Sequence, residues 1–195
     1  MDPLYGLVAC GGRSSRMGFD KSTIIYHGIP QRYYVYHMLE LYCEKVFISC
    51  NREQRATILP GYHFIEDTEK AQHGGPMVAL ISAFEQYPKA SFLLVGCDYP
   101  FLQSGEIARL VAARLSDRPA ICYVNSSGLE EPLIAMYENA VQQKLIEAYS
   151  KGNHSLRMLL QSVDALHCVS SSESAIMSVD DRKTYEEIQQ QIFQH

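Results

Sequence analysis

No apolar run in the 195-residue sequence exceeds the length of a strand, so no segment is expected to span a bilayer. The N-terminus "MDPLYGLVAC" has neither a basic n-region nor a long h-region, and no signal peptide is expected. Positive charge is not in excess: 17 Lys and Arg against 22 Asp and Glu give a net charge of −5, which argues against general nucleic-acid binding. The six cysteines form no C-x-x-C pair, and neither they nor the seven histidines show the spacing of zinc ligands. Several sit inside apolar runs, where Cys acts as a small hydrophobe. Without an export signal the thiols are expected to be reduced and the protein cytoplasmic. No Ser-His-Asp or Cys-His arrangement stands out. There is also no repeat, linker or low-complexity tract beyond the loop-sized "SSSES" (170–174). The remaining composition, 47% apolar and 20% charged, is that of an ordinary globular chain, expected to form one domain over 1–195.

What is present is an alternation of strand-like and helical segments. "YGLVAC" (5–10), "KVFISC" (45–50), "YHFIED" (62–67), "SFLLVGC" (91–97) and "AICYV" (120–124) read as strands. Between them, "QRYYVYHMLELY" (31–42) is long enough for a helix. Met77, Leu80, Ile81 and Phe84 form an i, i+3, i+4, i+7 stripe behind Pro76. Ile107, Leu110, Val111 and Leu115 mark a further helix. After residue 128 the rhythm loosens: "EPLIAMY" reads as a strand, two helices follow (around Leu145 and Leu159), then "ALHCV", the strand-like "AIMSV" and a polar terminal helix. Repeated strand–helix–strand units predict a Rossmann-like α/β domain, a mostly parallel sheet with helices on both faces. Ligands of such sheets bind beyond the carboxyl ends of the strands. That places the loop after 5–10, "EDTEKAQHGG" and "CDYP" at one site.

The first of these loops, within "VACGGRSSRMGFDK" (8–21), is unusually rich in glycine and positive charge. It lacks the Gly-x-Gly of dinucleotide folds. Its glycines, Gly12 and Gly18, are one residue too far apart for the Walker pattern, and "FDKS" follows. Yet glycines let backbone N–H groups approach an anion, Ser14 and Ser15 add donors, and Arg16 and Lys21 add full charges. A purely structural glycine turn is the alternative; the added Arg and Lys favour polyphosphate.

"GGRSSRMGFDK" resembles the loop G-G-x-S-x-R-M-G-x-D-K of molybdenum cofactor guanylyltransferases and their nucleotidyltransferase relatives. The resemblance continues in order through "ISCNREQ", "IED", "GGPMVALISAF", "GCDYPFL" and "EPLIAMY", to about residue 140. It implies a fold of the nucleotide-diphospho-sugar transferase type and transfer of GMP from GTP to the phosphate of the molybdenum-bound pterin, with Mg²⁺ and release of pyrophosphate. By the same resemblance, Gly11, Gly12, Arg16 and Lys21 hold the triphosphate, the strand end Ala9–Cys10 helps to hold the base, and Asn51 contacts the nucleoside. Asp67 and Gly75 lie near the guanosine, and Asp98 is the metal ligand. Asp180, in "MSVDDRK", stands where relatives carry a second metal-binding residue. Lys21, Arg16 and Asp98 are thus the candidate catalytic groups. The nucleophile would be a phosphate oxygen, already anionic, so the work is neutralising and aligning charge rather than general-base catalysis. Partner classes follow from the same resemblance: GTP, the molybdenum-pterin cofactor, and cofactor-inserting chaperones or recipient molybdoenzymes.

Other readings stay open at this level. The same fold serves cytidylyltransferases acting on the pterin or on a methylerythritol phosphate, and sugar-1-phosphate nucleotidyltransferases. A non-catalytic nucleotide-binding subunit is the reading from another class. The family's Leu-Ala-Gly-Gly opening is Ala9-Cys10-Gly11-Gly12 here, only Arg157 remains of an arginine pair near "NHSLR", and "SVDDRK" replaces Asn-x-Asn-Thr-Pro. Asp98 and Asp67 can also be turn or loop formers, Asn51 a helix N-cap, and Asp180 a cap of the terminal helix. His73 reads as a loop residue, the tyrosines of 33–42 as packing groups, and Cys97 as an inert strand-end thiol.

Overall fold

The computed structural model describes residues 1–10, 20–68, 75–114, 117–179 and 184–185. Among these, seven strands form one sheet: β1 (Leu4–Ala9), β2 (Lys45–Cys50), β3 (Phe64–Glu66), β4 (Ser91–Gly96), β5 (Ala120–Val124), β6 (Glu130–Tyr137) and β7 (Leu166–Val169). The helices are α1 (Gln31–Glu40), α2 (Arg52–Arg55), α3 (Pro76–Gln86), α4 (Ser104–Ala112), α5 (Gln142–Ser150) and α6 (Leu156–Ser162). Across the sheet the order is β3-β2-β1-β4-β6-β5-β7. All neighbours pair in parallel except β6, which runs antiparallel to both β4 and β5. The mostly parallel α/β architecture read from the sequence is the one found.

Period-two alternation divides the core between the two faces. Leu7, Phe92 and Leu94 pack with α3, α5 and α6, whereas Val8, Leu93 and Val95 pack with α1 and α4. β4 is buried along all six residues, which accounts for its unbroken apolar run. α3 is covered more completely than its stripe predicts. Every residue from Met77 to Phe84 is buried, because α5 packs on α3 as well as the sheet.

Differences from the sequence reading fall at edges and at the end of the chain. The strand over 62–67 shortens to Phe64–Glu66, since β3 is an edge strand with only Ile48–Cys50 of β2 to pair with. α4 stops at Ala112, and Leu115 lies outside the described residues. The strand-like "AIMSV" is instead a 3₁₀ turn (Ser174–Ile176) followed by extended chain. It joins no sheet edge; Val179 N–H donates to the Asp98 carbonyl at 2.8 Å. Of the terminal helix, only Thr184 and Tyr185 are described, and both are helical.

Because β3, β2, β1 and β4 are mutually parallel neighbours, their carboxyl ends share one edge of the sheet. That edge positions everything discussed next.

Candidate active site

At the end of β1 the chain passes Ala9 and Cys10, and at the end of β4 it passes Gly96, Cys97 and Asp98. The two ends are bound together: Cys97 N–H donates to the Ala9 carbonyl at 3.3 Å, and the Cys10 and Cys97 sulfurs lie 3.6 Å apart. The hydrogen bond to Cys10 and full burial push the Cys97 thiol well above its usual range. A thiol held protonated in this way is a poor nucleophile, as the sequence reading expects.

Gly96 has a local reason to be glycine. A Cβ there would stand 2.5 Å from Asp98 Oδ1, 3.1 Å from the Tyr99 ring and 3.3 Å from Leu133 Cβ. The absent side chain is the space into which the Asp98 carboxylate turns. Asp98 is half-buried. Burial, with Tyr185 and then Asp98 nearby, pushes the Tyr26 phenol up. Ile24, Tyr26 and Val179, flanked by Phe101 and Tyr185, make a small apolar cluster beside Asp98.

Lys21 enters through a 3₁₀ turn, Lys21–Thr23, capped by Asp20, whose Oδ1 accepts from Ser22 N–H at 2.9 Å. Lys21 Nζ donates to the Val179 carbonyl at 2.9 Å. One residue, Val179, therefore bonds Asp98 through its N–H and Lys21 through its carbonyl.

Asn51 follows β2. Its side chain accepts from Gln54 N–H at 2.8 Å, while Gln54 Oε1 accepts from Asn51 N–H at 3.2 Å, a complete capping box on the short helix α2. Gln54 also reaches inward, its Nε2 donating to the Cys10 carbonyl at 3.2 Å and to Asp20 Oδ2 at 3.0 Å. Asp67 follows β3. Its N–H donates to the Cys50 carbonyl at 2.9 Å, and its Oδ1 accepts from Ser49 Oγ at 2.9 Å. Burial raises its carboxyl above the usual range, against the Ser49 hydrogen bond. Gly75 begins α3 with φ +52°, a left-handed conformation that glycine adopts without strain.

Of the residues singled out in the sequence, Ala9, Cys10, Lys21, Asn51 and Asp98 are thus linked at this edge by direct or one-residue bridges. Asp67 and Gly75 sit on the adjacent β3–α3 side. Gly11, Gly12, Arg16 and Asp180 lie outside the described residues, as does His73. Among the described residues no group of three or more His, Cys, Asp or Glu gathers as a metal cluster. The α1 tyrosines pack, as expected: Tyr33 and Tyr36 are buried in the α1 face of the core. Two residues escape sequence reasoning. Gln54 shows only as the third residue after a cap, and Gly96 only as a letter within "GCDYP".

A parallel sheet with its strand ends carrying a lysine, carboxylates and amide donors has the layout of an α/β nucleotide-binding domain. A family profile described as "MobA-like NTP transferase domain" matches residues 6–169, and the chain belongs to that family. It is 36% identical over 164 residues to the "Molybdenum cofactor biosynthesis bifunctional protein" of Synechocystis sp.. That match covers 83% of this chain and 47% of the relative, so the chain spans about half of that longer protein. It is 27% identical over 171 residues to the "Molybdenum cofactor guanylyltransferase" of Pseudomonas entomophila, covering 86% of this chain and 88% of that one. In fold it is similar to "Molybdopterin-guanine dinucleotide biosynthesis protein A" from Archaeoglobus fulgidus, with a TM-score of 0.79, 15% identity, and coverage of 98% and 100% of the two chains.

Proposed function

We propose that this protein is a GTP-dependent guanylyltransferase of molybdenum cofactor synthesis. In the reaction, an oxygen of the pterin phosphate attacks the α-phosphorus of GTP. The bond from that phosphorus to the β-phosphate bridging oxygen breaks, and pyrophosphate leaves. The observation that carries this reading is the Val179 bridge, which sets Lys21 and Asp98 beside each other at the strand ends of a MobA-like fold.

Both reactants are anions, so the chain must gather positive charge and hold geometry. Lys21 supplies an ammonium for the α-phosphate and the departing pyrophosphate. Arg16 and the backbone of Gly11 and Gly12 would hold the triphosphate. The strand end Ala9–Cys10 would help to hold the base, with Asn51, Asp67 and Gly75 on the nucleoside. Asp98 suits Mg²⁺: it is a hard carboxylate, turned into the space that a Cβ on Gly96 would fill. One or two carboxylates plus substrate phosphates is how Mg²⁺ is usually held. Asp180 is the proposed second carboxylate. When bound, Mg²⁺ supplies charge neutralisation across the phosphates. All six cysteines are free thiols, which supports action in the reducing cytoplasm, and among the described residues no helix is long and apolar enough to cross a membrane.

The test is incubation with each nucleoside triphosphate, Mg²⁺ and the molybdenum-pterin cofactor, with the product identified by mass. A guanine dinucleotide and pyrophosphate are expected. A cytosine dinucleotide, or turnover only with a sugar phosphate, overturns the assignment.

A further inference from the structure

Gln54 lies outside the set that the resemblance assigns, yet its side chain bonds across the strand ends to Asn51, Cys10 and Asp20. Its amide orientation follows from its partners. A main-chain N–H can only donate, so the atom facing Asn51 N–H is the oxygen. A carbonyl and a carboxylate without its proton can only accept, so the atom facing Cys10 O and Asp20 Oδ2 is the nitrogen. Both amide protons are used, one on each acceptor. Cys10 and Asp20 are the residues that flank the Gly- and Arg-rich stretch 11–19, and Asp20 adjoins Lys21. One nitrogen therefore bonds the residues on either side of that stretch. The same side chain ties them to α2, through the capping box, at the end of β2.

We infer that Gln54 is a positioning residue for Lys21 at the triphosphate site: it holds the strand end at Cys10 and the Asp20 carboxylate to one point, and so fixes where Lys21 begins. This rests on the functional reading above. The bond to Asp20 is charge-assisted and the stronger of the two. Asp20 Oδ1 is meanwhile engaged with Ser22 N–H, so the Asp20 carboxylate is held on both oxygens. Among the described residues, Arg55 pairs with Glu66 at 2.8 Å and Lys21 Nζ donates to the Val179 carbonyl.

Gln54→Glu separates this role from a structural one. Glutamate is as good as glutamine at the third position of a capping box, so α2 keeps its cap. The inward atom, however, becomes an oxygen facing the Cys10 carbonyl and the Asp20 carboxylate. Affinity for GTP and for inorganic tripolyphosphate, each with Mg²⁺, is expected to fall by about tenfold, the scale of one charge-assisted hydrogen bond, with helix content near that of the parent. Adding Asp20→Asn restores a donor opposite the new carboxylate, and the double variant is expected to bind more tightly than Gln54→Glu alone. Parent-like affinity in Gln54→Glu, or a loss that Asp20→Asn does not relieve, overturns the inference. If the parent prefers CTP to GTP, the functional reading above falls while Gln54 is judged on CTP. If it binds no nucleoside triphosphate, both fall.

Discussion

The two halves of the sheet treat their polar groups differently. In β3-β2-β1-β4 every strand runs the same way, and β3, β2 and β4 lead at one edge to Asp67, Asn51 and Asp98, with Cys10 at the end of β1. In β6-β5-β7 the reversed β6 breaks that pattern, and the polar groups close on one another. Glu130 accepts from Gln161 at 2.9 Å and lies 3.5 Å from His167, while Glu131 accepts from Asn125 at 3.1 Å. At the opposite edge, Arg114 is locked onto Glu138 at 2.7 Å. Parallel strand ends gather polar groups where α/β sheets take their ligands, whereas around the antiparallel β6 the polar groups bond one another. Substitutions in the first half should change chemistry, and those in the second should change stability.

Lys21→Ala is expected to draw the contrast most sharply. Loss of one preorganised cation at the reacting phosphates should lower kcat by about 10²-fold or more. A near-normal kcat in a folded variant removes Lys21 from the mechanism. Gly96→Ala comes next. The cheapest way to admit the new methyl group is to displace the Asp98 carboxylate, so kcat should fall by roughly tenfold, as misplacement of a catalytic group does, while the protein still folds. Unchanged turnover would mean that the Asp98 position is immaterial.

In the second half, Arg114→Met removes the partner of a carboxylate that is only 15% exposed. Stability should fall by about 1.5–3 kcal/mol, the range for a hydrogen bond to a charged group, with kcat and KM unchanged. A change in KM would break the division of labour. The smallest effect belongs to Asp67→Asn. Burial raises the Asp67 carboxyl in the folded protein, so its ionised form costs stability above the folded pKa. That cost shrinks as pH falls through the folded pKa and vanishes below the unfolded value. The variant, whose Asn oxygen can still accept from Ser49, should melt slightly above the parent at pH 8, with the gap closing on acidification. A gap that widens as pH falls contradicts the burial argument.

How far the sequence is legible follows the same division. β2 and β5 are found over the residues their patterns mark, because β-branched and aromatic runs bounded by polar residues have one consistent reading. "AIMSV" misleads because its buried residues pack without pairing as a strand: Ile176 joins the α1–α4 face of the core, and Val179 packs with Ile24 and Tyr26. The placement of Lys21 and Asp98 near one another is foreshadowed by strand order. The intermediary is not, since Val179 acts through its backbone and carries no signal in its side chain. Gln54 is legible as a cap partner, but its inward bonds to Cys10 and Asp20 join positions 44 and 34 residues away. Nothing local announces them. Gly96 likewise becomes informative only when Asp98 Oδ1 is seen to fill its missing side chain.

The central claim is that the parallel half forms a guanine nucleotide site. It is tested most directly by competition binding of GTP, CTP and ATP to the protein with Mg²⁺. A site that hydrogen-bonds guanine leaves its own groups unpaired against cytosine, which costs far more than a lost contact. GTP should therefore displace the others and bind tightest. CTP ranked above GTP would contradict the account and move the protein to the cytidylyltransferases of the same fold.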